Sequence, residues 1–180
     1  MSDKSIIIII GGGLKEPVLI GGVKQDFLGV KIYNLDPALA PSGKTLLTVM
    51  FTTDYDYWKT LRENDGQYKA EKEKIADTVI ALLDNRFPGL AAQVEMRDVA
   101  TPTTFVSYTG NWKGSFEGWQ VTPATWSFGK VMKKTLPGPR NFYMAGQWVE
   151  PGGGIPAVAL SGRNVIQIIC KQEKEKFRTK

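Results

Sequence analysis

Five consecutive isoleucines, Ile6 to Ile10, run directly into three glycines, Gly11 to Gly13. No other stretch limits the fold so sharply. A β-branched run without alternation suits a strand covered on both faces, as in a parallel sheet flanked by helices. Glycines at its end remove side chains where the backbone must turn or approach another group closely. The expectation is a buried strand at 5–11 in a chain of mixed α and β content.

The same run begins like a dinucleotide site, in which G-x-G-x-x-G closes a strand and starts a helix. That helix then aims its free N–H groups at a pyrophosphate. Here Glu16 holds the third glycine position and Pro17 follows it. Residues 14–29 show no helical period, only a short strand expected at 18–20. The stretch supplies the start of a cradle without the helix that completes it.

Chemistry is narrowed by what the chain lacks. It has no histidine, and Cys170 is its single cysteine. Ser-His-Asp and Cys-His nucleophiles, imidazole metal sites and the usual near-neutral general base are therefore excluded. One thiol excludes intrachain disulfides and thiolate clusters, and points to a reducing compartment. Catalysis would rest on carboxylates, Lys, Tyr or a bound cofactor, and no metal site is expected. At 180 residues the chain fits one compact domain, able to bury roughly 70% of its unfolded surface.

The net charge of +5 is uneven: no acidic residue falls between Glu117 and Glu150, where Lys130, Lys133, Lys134 and Arg140 lie. This reads as a solvated basic face or as attraction to phosphates or an anionic membrane surface. The longest apolar run is the isoleucine stretch, far short of the about 20 residues a membrane span needs. It is also short for a signal peptide and meets glycines instead of a cleavage site, so a cytoplasmic protein is expected.

Along the chain, "VKIYNLD" (30–36) and "TLLTVMFTT" (45–53) have strand character on either side of a turn-rich segment. Ile75, Val79, Leu82, Leu83 and Phe87 share one helical face, which predicts a helix over 68–87 ended by Pro88-Gly89. "QVEMRDVA" (93–100) alternates like a strand, and 101–140 has no clear period. "FYMAGQWV" (142–149) predicts a second buried strand, leading through "EPGGGI" into a helix from Pro156 to about Lys174. Pro156 suits a first helical turn, and Gly162 would permit close packing on a sheet.

Three stretches bear on function. "ALAPSGKT" (38–45) satisfies a relaxed phosphate-loop pattern, but a strand-like "LLTVMFTT" follows where a helix is required, so the pattern is rejected. Phe105, Tyr108, Trp112, Phe116, Trp119, Trp126 and Phe128 crowd one Gly-punctuated segment. They suit either loop packing or the wall of a site for an apolar substrate or a flat ring. Only Lys113 and Lys130 are basic there, which disfavours nucleic-acid stacking. Finally, "FYMAGQWVEPGGGIPAVALSGRNV" places a glycine turn before a helix whose positive end faces the turn. It is either an ordinary close-packed strand-turn-helix or a cradle for an anionic ring such as a reduced flavin.

This last stretch resembles the C-terminal flavin motif of the phytoene desaturase and carotenoid isomerase-like flavoproteins, within the amine oxidase superfamily. "DPALAPSGKTLLTVM", "YWKTL", "RFPGL", "TPTTFVSYTGNWKGSFEGW" and "NFYMAGQWVEPGGGIPAVALSGRNVIQIIC" resemble that family in the same order. The likeness covers 30–177, and 5–13 resembles the family's N-terminal flavin-binding strand. Members are normally much longer, so the chain resembles a full-length flavoprotein with its middle removed.

The resemblance implies a remnant Rossmann-like sheet from 5–13 and 140–175 with a C-terminal helix, joined to an antiparallel substrate-side part at 30–135, as one α/β domain over 1–180. It implies an FAD-dependent oxidoreductase acting on apolar polyenes or related lipids, with peripheral contact to a membrane. Gly11 and Gly13 would belong to the cofactor site. Gly146 and Gln147 would approach the flavin side chain, and Gly153, Gly154, Ile155 and Pro156 its ring. Gln147 stands where many relatives carry an acidic residue. Tyr108, Trp112 and Trp119 are the substrate-side candidates, and no catalytic acid or base is assigned. FAD would be held weakly without the second half of its cradle. The alternative is a non-catalytic remnant that binds FAD weakly or not at all. Apolar faces left bare by a missing middle would favour a homo-oligomer.

Overall fold

The computed structural model describes residues 10–33, 38–119, 122–123, 132–150 and 152–179. They fall into two compact units, one ending at Gly114 and the other beginning at Ser115. The content is mixed α/β, with helices and one three-stranded antiparallel sheet among the described residues.

The first unit starts with a long hairpin. Strand β1 (Ile10–Ile20) pairs antiparallel with β2 (Val23–Tyr33), and β2 pairs with β3 (Leu46–Met50). Two residues, Gly21 and Gly22, turn the hairpin with φ of +58° and +81°. A two-residue loop that twists with its strands needs positive φ at both positions, which glycine adopts freely. A Cβ on Gly21 would also press on the Thr53 side chain.

The sequence expectation of a loop over most of 14–29 is thus corrected. Its source is the register shift between Gly13 and Val18, where Lys15, Glu16 and Pro17 interrupt the alternation that marks a strand. The strand expected at 5–11 lies mostly outside the described residues. Its described end, Ile10 and Gly11, pairs antiparallel with Val30 and Gly29 instead of lying in a parallel sheet.

Helices α1 (Tyr55–Arg62) and α2 (Asp65–Arg86) cover one face of this unit's core. Asp54 accepts the Tyr57 N–H at 2.7 Å and Asn64 the Gln67 N–H at 3.1 Å, so both helices start on side-chain caps. The expected helix at 68–87 is present and begins three residues earlier, at Asp65. Ile20, Leu28, Val30, Trp58, Tyr68, Ile75 and Leu83 form the buried core. Trp58 donates its indole N–H to Thr53, whose hydroxyl donates to the Gly21 carbonyl, both at 2.7 Å. The hairpin turn is thereby tied to α1.

Residues 94–100 carry no strand pairing among the described residues. The charged residues here are instead engaged in ion pairs with the rest of the unit. Glu95 pairs with Lys44, Arg97 with Glu73 and Asp77, and Asp98 with Lys72, while Met96 faces solvent. Lys44 is thereby engaged in an ion pair, and β3 follows it, as the rejection of a phosphate loop required. Helix α3 (Pro102–Thr109) starts on a reciprocal Thr101–Thr104 cap and ends at Gly110.

The second unit is built around α4 (Gly154–Gln172). It starts two residues before Pro156, which therefore still lies in the first turn. The strand expected at 142–149 is instead a turn: the Gly146 carbonyl accepts from the N–H of Val149 and of Glu150, each at 3.1 Å. Only Tyr143 keeps a sheet-like bridge, to Thr135. Among the described residues, nothing lies within 4 Å of a Cβ added to Gly162, so the close packing expected there is not seen.

Candidate functional site

The second unit brings Gln147, Gly153, Gly154 and Ile155 together with Phe116 and Trp119. Gly146 supplies φ of +117° to start the turn, and its N–H donates to the fully buried Ser161 hydroxyl of α4 at 3.1 Å. Glu150, four residues on, accepts from Lys134 at 2.7 Å and Asn164 at 3.4 Å. The basic stretch read as solvated or phosphate-attracting therefore contains one lysine, Lys134, that is 8% exposed and ion-paired. Lys130 lies outside the described residues.

Gly152, Gly153 and Gly154 follow, all with positive φ, so the chain enters α4 through conformations that side chains disfavour. The N-cap residue, Gly153, has no side chain with which to cap the helix. The N–H groups of its first turn, with none at Pro156, point out of the helix with the positive end of its dipole.

Residues 115–119 lie along this turn. A Cβ on Gly118 would overlap the Gln147 carbonyl, so only glycine allows that approach. The Glu117 side chain packs on Gly153, and Trp119 donates its indole N–H to the Trp148 carbonyl at 3.0 Å. Phe116, Gln147, Gly154, Ile155, Val158 and Ala159 line an open, mostly apolar groove of about 430 Å³ at the head of α4. Ile155 is 85% exposed there. Such a groove takes a flat or elongated apolar group, with backbone N–H groups at one end for negative charge.

Gly11, Gly13, Tyr108 and Trp112 belong to the first unit. Gly11 and Gly13 pair with Gly29 and Phe27 in the sheet, and no helix follows them. Their backbone groups face a neighbouring strand. Tyr108 on α3 and Trp112 just beyond it are 87% and 73% exposed. Lys113 stacks 5.7 Å from the Trp112 ring and pairs with Asp56 at 2.9 Å. Trp126 and Phe128 lie outside the described residues.

The residues present fit a flavin at its ring end: a glycine run, an uncapped helix and an apolar wall stand together. At the dinucleotide end they do not fit, since the first glycine run is spent on strand pairing. Sequence reasoning weighed Phe116 among the aromatics that could wall a site, and missed Val158 and Ala159. Val158 and Ala159 follow Ile155 on the first two turns of α4, a spacing that could have pointed to them.

Residues 14–170 match the family described as flavin containing amine oxidoreductase. The chain is 30% identical, over 71% of its length, to the chloroplastic prolycopene isomerase of Daucus carota, of which it covers 20%. It is 29% identical over 74% of its length to the phytoene desaturase (lycopene-forming) of Paracoccus sp. (strain N81106 / MBIC 01143), covering 26% of that protein. The 4,4'-diapolycopen-4-al dehydrogenase of Metabacillus indicus is 30% identical over 80% of the chain, which covers 28% of it. The chain thus spans between a fifth and just over a quarter of these relatives. No solved structure matches it, and no helix among the described residues is long and apolar enough to cross a membrane. A match over 14–170, agreeing with a glycine turn and helix suited to a flavin ring, makes this chain a member of the flavin-containing amine oxidoreductase family.

Proposed function

We propose that this chain is part of an FAD-dependent oxidoreductase acting on apolar polyene or lipid substrates. The observation that carries the reading is the uncapped head of α4, opening onto the groove lined by Phe116, Ile155, Val158 and Ala159. Residues 140–175 would serve the cofactor and 30–135 the substrate. Bound flavin would supply hydride exchange, the chemistry that a chain without histidine does not provide from its own side chains.

The residues have separate tasks. Backbone N–H groups at Gly154 and Ile155 would meet negative charge on the ring, and Gln147 would hydrogen-bond hydroxyls of the flavin side chain. Phe116, Ile155 and Val158 would exclude water from the reacting face. Tyr108 and Trp112 would contribute on the substrate side through their exposed rings, and Trp119 through its edge. Relatives named for lycopene, phytoene and a diapolycopenal support an apolar polyene as the substrate class.

The experiment is a flavin titration of the purified chain with FAD and with FMN, read by fluorescence quenching. Because Gly11 and Gly13 are paired in a sheet, the adenylate half gains little, and the two affinities should agree within about threefold, under 1 kcal/mol. Absence of saturable quenching by either flavin would favour the non-catalytic reading, which the missing pyrophosphate cradle supports. A 100-fold preference for FAD would show a dinucleotide site elsewhere in the chain.

Self-association and membrane contact belong to the same reading. Phe27, Leu46 and Met50 point outward from the sheet of the first unit, at 59%, 40% and 37% exposure. Pairing through the β1 edge is opposed by Lys15, Pro17 and the register shift beside them. A homo-oligomer would therefore bury the outer sheet face, and Phe27→Lys should convert it to monomer in light scattering. Vesicle sedimentation with anionic and neutral lipids tests peripheral membrane contact.

A further inference from the structure

We propose that Lys134, Glu150 and Asn164 form a buried clamp that positions the 146–154 turn, and with it the groove at the head of α4. The inference rests on the flavin reading for its purpose, though not for its geometry. Lys134 and Glu150 have side chains only 7% and 16% exposed, with Nζ and Oε2 2.7 Å apart. The same Glu150 Oε2 accepts from Asn164 Nδ2 at 3.4 Å. One carboxylate oxygen thus ties the end of the turn both to residue 134 and to the third turn of α4.

The other end of the turn is fastened separately. Gly146 donates its N–H to the Ser161 hydroxyl at 3.1 Å, three residues before Asn164 on the same helix. Lys134 is itself held by backbone, since its carbonyl accepts the Met144 N–H at 2.8 Å. Between these fixed points lie Gln147 and the Gly146 carbonyl that closes the turn, and just beyond them the three glycines leading into α4. Glycines give that passage many accessible conformations, so an unanchored turn would spread its N–H groups over many directions. Binding would then carry the entropy of ordering them.

A buried ion pair is a poor means of adding stability, because desolvating both charges offsets their attraction. Replacing such a pair by apolar side chains of similar volume often leaves stability unchanged. The arrangement at Glu150 is therefore best understood as directional: one oxygen with two donors specifies where the turn ends. None of the three lines the groove, so Lys134, Glu150 and Asn164 are positioning residues.

The test separates position from stability. Lys134→Met/Glu150→Leu removes both charges together, and should melt within a few degrees of the parent. Amide hydrogen exchange at Val149 and Glu150, whose N–H groups donate to the Gly146 carbonyl, should nevertheless quicken at least tenfold, and flavin affinity should fall at least tenfold. Lys134→Gln should show the same rise in exchange, while Lys134→Arg, which keeps the charge, should retain most of the protection. Unchanged exchange at these amides in the double variant would overturn the clamp, as would equal exchange in Lys134→Gln and Lys134→Arg. If the double variant does not fold, the Gln and Arg pair decides alone. Exchange is read without flavin. A parent that binds no flavin, with a double variant that frees the turn, would leave the clamp standing and remove the flavin reading.

Discussion

Trp119 and Trp148 meet edge to face with ring centroids 5.5 Å apart, and the Trp119 indole N–H reaches the Trp148 carbonyl at 3.0 Å. Two independent interactions thus fasten 115–119 to the turn that follows Gly146. The ring pair contributes about 0.5–1.5 kcal/mol beyond its buried area, and a hydrogen bond of this kind about 0.5–1.5 kcal/mol more. Trp119→Leu should therefore destabilise the second unit by about 1–3 kcal/mol in denaturant unfolding. The near-ultraviolet circular dichroism of the coupled indoles should be lost. An unchanged aromatic spectrum would show that the pair is not formed in solution.

At Gly154 the constraint is conformational, not spatial. Its φ is +73°, and an added Cβ would meet only Pro156 Cδ, at 3.7 Å. Gly154→Val should shift the start of α4 and abolish flavin binding, at a cost of about 1–3 kcal/mol for a β-branched residue held at positive φ. Glu117 acts differently, since its carboxylate packs on Gly153 at the positive end of the helix. Glu117→Gln removes a negative charge that opposes a reduced flavin at the same place. The midpoint potential of bound flavin should rise in that variant. A potential unchanged from the parent would place the ring away from the α4 head.

Much of this fold was legible because periodicity survives where one face is buried. Helix α2 showed its core face as Ile75, Val79, Leu82 and Leu83, and α4 announced itself through Pro156 and the glycines before it. Helix α3 has only eight residues, too few for a period, although Thr101-Pro102 and Thr104 carried a readable start signal. The hairpin at Gly21-Gly22 was hidden by the interruption at Lys15 to Pro17. In the site, glycines before a helix could be read, whereas the demand for glycine at 118 arises only from the Gln147 carbonyl beside it. The Lys134–Glu150 pair was illegible for the same reason: sixteen positions of separation reveal nothing about burial.

Gly162 offers a direct check on one corrected expectation. It sits inside α4, where glycine costs about 0.5–1 kcal/mol relative to alanine through backbone entropy. Among the described residues, a Cβ there meets nothing within 4 Å. Gly162→Ala should accordingly stabilise the chain by about 0.5–1 kcal/mol, seen as a higher denaturant midpoint. Destabilisation would mean that α4 packs closely against another surface in solution.

Two tyrosines of the first unit should titrate far apart. Burial works to raise the Tyr68 phenol, but hydrogen bonds from Thr101, Thr103 and Thr104, with Arg62 beside them, bring it down from 10.0 to about 8. Tyr57 moves the other way, to about 12, first through burial and then through its hydrogen bond and charge contact with Glu71. The signs follow from linkage. A depressed phenol such as Tyr68 contributes stability that is present above its unfolded value of 10.0 and is lost as pH falls towards 8. A raised one such as Tyr57 contributes stability that is present below 10.0 and is lost as pH rises towards 12. Melting temperature should therefore climb from pH 8 to 10 and fall from 10 to 12. Tyr68→Phe should remove the climb, and Tyr57→Phe should remove the Tyr57 contribution to the fall. Ultraviolet tyrosinate absorbance of the folded protein should show one early and one late step, each lost in its own variant. A first step that survives Tyr68→Phe would show that the threonine hydroxyls do not stabilise its phenolate.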